Sequence, residues 1–175
     1  MKVLALCGSL RARSSNQAVL LAYARVAPDI AFTHYGRLGA LPHFNPDLDQ
    51  DGVPLPVEVA ALRAAVAAAD ALVISTPEYV HALPGSFKNL LDWLVSDPAF
   101  AGKPVAILHV ARGSTWALDS LREVLRTMSA EIIADASVLL PLGSNRVDEA
   151  DILARPDLRE LLTQSAAALR AVRKG

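Results

Sequence analysis

Lys2-Val3-Leu4-Ala5-Leu6-Cys7-Gly8-Ser9-Leu10-Arg11-Ala12-Arg13-Ser14-Ser15-Asn16 decides the fold. The run up to Cys7 is short and apolar, and Gly8 ends it, which is the pattern of a buried strand. A loop of short polar residues follows. Beyond it Val19, Leu20 and Tyr23 fall on one face at helical spacing. Strand, polar loop and helix form the first half of a crossover unit. The same alternation recurs down the chain. Ala71-Leu72-Val73-Ile74-Ser75 and Pro104-Val105-Ala106-Ile107-Leu108-His109-Val110 are apolar runs, and Ser137-Val138-Leu139-Leu140 is a shorter one. None alternates apolar with polar, so both faces should be covered, as in a parallel sheet. Residues 30–35 mix Thr33 and His34 into the run and suit an edge strand.

Between the runs the period becomes helical. Phe87, Leu90, Leu91 and Leu94 make one face, and Leu118, Leu121, Leu125 and Met128 make another. Leu158, Leu161, Leu162, Leu169 and Val172 form a third, entered by Pro156-Asp157. The Ala-rich residues 57–69 are helical by propensity. Five strands alternating with five helices specify an α/β doubly wound five-stranded parallel sheet, order 2-1-3-4-5, with helices on both faces. Residues 1–175 then read as a single domain. The long connection over residues 36–54, rich in Pro, Gly and Asp, reads as a functional lip.

Composition narrows the function. The chain has 175 residues, 53% of them hydrophobic, and 17 basic residues balance 18 acidic ones for a formal charge of −1. That balance argues against nucleic-acid partners, which need an excess of Lys and Arg. Cys7 is the single cysteine, so an internal disulfide and a multi-cysteine metal site are excluded. No apolar run reaches the roughly 18 residues of a membrane span. No signal-peptide pattern opens the chain. A cytoplasmic protein with no membrane partner is the expectation.

In such a sheet, ligands bind at the carboxyl edge, where strands 1 and 3 are neighbours whose helices leave on opposite faces. The loop after strand 1 offers Ser9, Ser14, Ser15 and Asn16, the charge of Arg11 and the free N–H groups of a helix start. Two readings fit: a phosphate cradle, or an N-cap cluster beside a solvated arginine. No Gly-Lys-Ser/Thr ending makes it a P-loop, and one glycine is too few for a dinucleotide fingerprint. The loop after strand 3, Thr76-Pro77-Glu78-Tyr79-Val80-His81-Ala82-Leu83-Pro84-Gly85, offers a proline-bounded backbone and an aromatic ring. Together the two loops suit a phosphorylated cofactor with a flat ring system.

Gly-Ser-Leu-Arg-x-x-Ser-x-Asn, then Pro-Glu-Tyr, then Pro-Gly-x-x-Lys-Asn-x-x-Asp-Trp, in that order, resembles the NADPH-dependent FMN reductase family. The resemblance implies a flavodoxin-like FMN-binding domain and an FMN-dependent NAD(P)H oxidoreductase. Its donor would be NADPH or NADH, and its acceptor a small molecule such as a quinone. It further implies a homodimer or homotetramer. By the same resemblance Ser9, Arg11, Ser14, Ser15 and Asn16 would bind the FMN phosphate. Pro77, Glu78, Tyr79 and Val80 would lie along the isoalloxazine edge, largely through backbone groups, and Ala111 would contact flavin through its backbone. The chain departs from the family at Val80, where Asn is common, and at Ala111, where the family has a serine. Arg112 or Trp116 could then alter which acceptor stacks on the exposed flavin face. The alternative reading is a non-enzymatic flavodoxin-type FMN electron carrier, which the near-zero charge disfavours because carriers dock electrostatically.

Three further features carry less. Asp47, Asp49, Asp51, Gly52 and Glu58 match a calcium-loop spacing, but Gly36, Gly39, Pro42 and Pro46 leave no room for an entering helix. Cys7 reads as packing. His34, His43, His81 and His109 are dispersed, with no metal spacing among them.

Overall fold

The computed structural model describes residues 1–110 and 113–172. Four strands stand where the apolar runs place them: β1 (Lys2–Cys7), β2 (Ala31–Tyr35), β3 (Ala71–Ser75) and β4 (Pro104–Val110). Two short ones follow, β5 (Glu131–Ile132) and β6 (Val138–Leu140). The sheet order is β2-β1-β3-β4-β5, as expected, and every pair is parallel.

The fifth position differs in detail. β5 pairs with the start of β4, Pro104 against Glu131, and β6 pairs with its end, Leu108 against Val138. A 3-10 turn over Ala134–Ala136 separates them. At the break the Ser137 hydroxyl accepts the Ile107 N–H at 3.1 Å and donates to the Ile133 carbonyl at 2.9 Å. A side chain thus fills the gap in the ladder, which is why the strand begins at Val138 rather than Ser137.

The helices are α1 (Ser15–Val26), α2 (Val57–Ala68), α3 (Gly85–Asp92), α4 (Trp116–Thr127), α5 (Glu149–Ala154) and α6 (Pro156–Ala171). α5 has no counterpart in the sequence reading. It is one and a half turns long and starts on a reciprocal capping box between Asp148 and Asp151.

Strand alternation sorts the core into two layers. Leu4, Leu6, Leu72, Ile74, Val105 and Ile107 face α2, α3 and α4. Val3, Ala5, Val73, Ala106 and Leu108 face α1, α5 and α6. The second set is smaller, which lets α1 pack close to the sheet. That closeness brings its first turn over the ends of β1 and β3.

The connection over residues 36–54 is fastened down. The Asn89 amide donates to the Pro42 carbonyl at 2.9 Å and accepts the Phe44 N–H at 2.7 Å. The buried Trp93 indole N–H also reaches Pro42, at 2.8 Å, and its ring meets Phe44 edge-on. Arg63 joins Asp49, Ser96 and the Trp93 carbonyl. Two of the four carboxylates of the calcium-like spacing are therefore engaged: Asp49 with Arg63, and Glu58 with Arg37 at 2.6 Å. Asn89 and Trp93, two motif positions, act as the staple of this loop.

Candidate cofactor site at the carboxyl edge

The ends of β1 and β3 approach so closely that only glycine fits at position 8. Its N–H donates to the Ser75 carbonyl at 2.9 Å, and a Cβ there would lie 2.0 Å from Thr76 Oγ1. The two loops then separate around a crevice of about 320 Å³. Ser9, Arg11, Ser14, Ser15 and Asn16 line one side, and Pro77, Glu78 and Tyr79 line the other. The structure thus gathers eight of the ten residues singled out from sequence. Val80 is 97% exposed at the tip of its turn, away from the crevice wall. Ala111 lies outside the described residues. None of residues 36–54 lines the crevice, so the expected lip is a braced strap beside it; Gly39 only approaches Leu10.

The first side is a helix start. Ser14 is the N-cap of α1, and its hydroxyl accepts the Gln17 N–H at 3.4 Å. Ser14, Ser15 and Asn16 are all buried. The first-turn N–H groups have no intrahelical carbonyl to meet, and the helix dipole adds positive potential. Ser9 turns back on its own loop by accepting the Arg11 N–H at 3.3 Å. Hydroxyls, backbone N–H groups and one guanidinium converge with no carboxylate among them. This donor set matches a phosphate monoester.

Deeper in, the Ser75 hydroxyl is fully buried. It donates to the Leu108 carbonyl at 2.8 Å and lies 2.9 Å from the Asn16 amide oxygen. Cys7 sits at the base, where burial pushes its thiol up from its ordinary value, so it stays protonated and inert.

The second side is a tight turn. Tyr79 and Ala82 exchange both backbone hydrogen bonds at 3.0 Å, leaving Val80 and His81 as the central pair. Both adopt left-handed backbone, φ 52° and 58°. This is a type I′ geometry made without glycine, and valine, being β-branched, is strained in it.

Glu78 holds that turn in place. Its carboxylate accepts the Ala117 N–H at 2.9 Å and a short bond from the Ser114 hydroxyl. Ala117 is in the first turn of α4, whose N-cap residue Thr115 makes no capping bond of its own. Glu78 therefore caps a helix 39 residues further along the chain. The Ala117 N–H, and next the Ser114 hydroxyl, hold its carboxyl below the ordinary value of 4.5. His81 Nδ1 stands 3.5 Å from Glu78, and the His81 ring meets Trp116 edge-on.

Four lining residues escaped the sequence reading: His109, Val110, Ser114 and Asn145. The first two end β4, and the switch-point rule that selected the ends of β1 and β3 applies equally to this third strand. Ser114 precedes α4 and was readable in the same way. Asn145 had no signal, since it arrives on the connection after β6. His109 is buried, with Nε2 lacking a partner among the described residues, and burial lowers its pKa so that the imidazole is neutral at pH 7.

A doubly wound sheet of this order, with a helix-start anion cradle beside a rigid loop at the switch point, defines a flavodoxin-like protein. Its overall shape agrees with the flavoenzyme NAD(P)H:acceptor oxidoreductase FerB of Paracoccus denitrificans, TM-score 0.72 over 97% of both chains at 23% identity. The model of the NADPH-dependent FMN reductase family matches residues 1–145, and the chain belongs to that oxidoreductase family. It is 33% identical to an NAD(P)H-dependent FMN reductase of Pseudomonas aeruginosa, covering 97% of this chain and 93% of that protein. A 2-hydroxy-1,4-benzoquinone reductase from a Burkholderia species is 31% identical, over 93% and 90% of the two chains. Among the described residues no helix is long and apolar enough to cross a membrane.

Proposed function

We propose that this chain is an FMN-dependent NAD(P)H oxidoreductase whose acceptor is a small quinone-type molecule. The observation that carries the reading is the crevice itself, an anion cradle on one wall and a rigid proline-bounded turn on the other. Bound FMN would supply the redox chemistry, taking a hydride from NAD(P)H and passing two electrons to the acceptor. The protein's task is then to bind and orient. Ser9, Ser14 and Ser15 would hold the phosphate through hydroxyls, Asn16 through its backbone N–H, and Arg11 through charge. Pro77, Glu78 and Tyr79 would present backbone groups to the ring system. Val80, outside the crevice wall, would act only through the shape of the turn. Ala111 belongs to the same proposal through its backbone. The half-exposed ring of Tyr79 leaves the mouth open for a flat acceptor.

Support for a quinone comes from the names of two relatives, the Burkholderia enzyme and a quinone reductase of Escherichia coli, 32% identical over 155 residues. Nothing favours the carrier alternative. Within the same reading the whole chain forms one FMN-binding unit in the cytoplasm, assembled as a homodimer or homotetramer. One anaerobic experiment tests it. The purified protein with added FMN should show the oxidised flavin spectrum, bleach with NAD(P)H and recover with a quinone. A spectrum unmoved by NAD(P)H rejects the enzyme.

A further inference from the structure

His109 stands in the crevice wall with a chemistry that binding alone does not use. It follows Ile107 by two positions on β4, so strand alternation turns it to the same face of the sheet, toward α4. It lines the crevice while only 6% exposed, and its Nε2 has no hydrogen-bond partner among the described residues. A buried histidine kept for structure has its polar atoms paired. The carboxylate of the adjoining wall is committed elsewhere, since Glu78 accepts from the Ala117 N–H and the Ser114 hydroxyl. Opposing influences surround the ring. Burial lowers its pKa most, a backbone bond at Ser114 and the Glu78 carboxylate raise it, and from α4 Arg122 lowers it while Asp119 raises it. The neutral imidazole therefore neighbours a carboxylate that is held in its charged form. Further negative charge in the crevice moves this balance toward imidazolium. Arg11 is already a cation and Glu78 already an anion, and His109 is the one imidazole among the lining residues.

Such charge comes with the reaction. Two electrons and one proton, the content of a hydride, leave one net negative charge where they arrive. A quinone departs as a hydroquinone with two electrons and two protons, so the second proton comes from water. We propose that His109 holds this second proton, taking it from solvent as the electrons enter the crevice and giving it up as they leave. NAD(P)H supplies both electrons and one proton, solvent supplies the other proton, and the acceptor carries away all four. In the interval the imidazolium offsets the added charge, so the buried site gains none overall. The inference rests on the FMN reading and deepens it, since it concerns the proton count of the site and not its affinity.

The test is the midpoint potential of FMN bound to wild type and to His109→Gln, followed from alkaline to acid pH. Each proton coupled to reduction changes the equilibrium tenfold per pH unit, about 30 mV for a two-electron couple. At alkaline pH the ring is neutral whether the flavin is oxidised or reduced, and it adds no proton. As pH falls, wild type should rise above the variant by up to about 30 mV per unit, then level off where the ring is charged in both states. Parallel lines at every pH overturn the proposal, because a structural histidine shifts the potential without changing its slope. A second measurement needs no variant and decides the matter if His109→Gln fails to fold or to hold FMN. Nitrogen NMR of the wild-type holoenzyme should show the His109 ring pass from neutral to imidazolium when NAD(P)H is added anaerobically within that pH window. A ring that keeps one form on reduction at every pH overturns the proposal. A wild type that takes up no flavin rejects the FMN reading itself, and this inference with it.

Discussion

Ser14 caps the helix that it opens, within three residues of its partner Gln17, whereas Glu78 caps a helix 39 residues away. The two walls of the crevice differ accordingly. The β1–α1 wall is mostly local and relaxed: Ser14 has extended backbone at φ −118°, Ser9 and Ser14 are paired with near neighbours, and Asn16 alone reaches across to Ser75 on β3. The β3–α3 wall is long-range and strained. Val80 and His81 sit in left-handed backbone while Glu78, Ser114 and Trp116 tie the turn to α4. On the proposed reading, a site that would grip a phosphate on one wall and present a flavin ring on the other is served by that division. The gripping wall carries its own geometry, and the presenting wall takes its geometry from a neighbour.

The largest effect should come where the walls meet. Gly8→Ala puts a Cβ 2.0 Å from Thr76 Oγ1 and 3.0 Å from the Thr76 backbone, so rotating the threonine away cannot relieve it. Overpacking of this kind costs about 1–3 kcal/mol. Urea unfolding should place Gly8→Ala at the upper end of that range. A stability equal to wild type would mean that the strand ends do not approach as described. Arg11→Ala comes next and acts on one wall alone. Arg11 is exposed, so folding stability should hold, while FMN affinity should fall about tenfold for a charged hydrogen bond lost. Fluorescence titration with FMN reads it, and unchanged affinity would remove Arg11 from the cradle.

Much of the first wall was legible in the sequence because its interactions are local. A helix start, its cap and a loop of small polar residues can be read within ten positions, and Ser9, Arg11, Ser14, Ser15 and Asn16 line the crevice. The β3–α3 loop was legible as a site from its prolines and from its place after a buried strand. Its internal structure was not. Pairing of Glu78 with Ala117 depends on how α4 leaves β4, and nothing near Glu78 encodes that. The split of the fifth strand was hidden for a related reason. Glu131–Ile132 is too short to carry a strand pattern, and Ser137 takes up a ladder bond that only the folded sheet presents. The cap of α5 is local but short, and an aspartate replaces the usual Glu or Gln of the box.

Breaking the long-range cap should cost less than the Gly8 clash and should depend on pH. Glu78→Gln leaves one acceptor oxygen where two serve, a loss of about 1 kcal/mol by analogy with N-caps. The Glu78 carboxyl is held below its ordinary 4.5, so the folded state favours its charged form. That contribution is present in full above the unfolded value and is lost as pH falls through the lower folded one. Chemical denaturation from neutral pH down into the acid range should therefore show wild type and Glu78→Gln converging. A constant difference between them throughout would mean that the carboxylate charge is not what holds α4.

The smallest effect runs in the opposite direction and isolates the strain. Left-handed backbone costs an ordinary L-residue about 1–2 kcal/mol, more when it is β-branched, and costs asparagine less. Val80 is 97% exposed, so its side chain gives up almost no burial when replaced. Val80→Asn should therefore stabilise the protein by about 1 kcal/mol, a rise in Tm of about 2–4 °C for a chain of this size. Val80→Gly relieves the same strain but loosens the unfolded chain, so its gain should be smaller. The order Asn above Gly above Val separates backbone strain from side-chain contact, since a lost contact would place Val highest. Ser14→Asn is the matching control on the other wall. It keeps a good cap in extended backbone and should change stability by a few tenths of a kcal/mol at most. If Val80→Asn gains nothing, the turn is not held in the left-handed region, and the contrast between a relaxed wall and a strained one collapses to a difference in loop length.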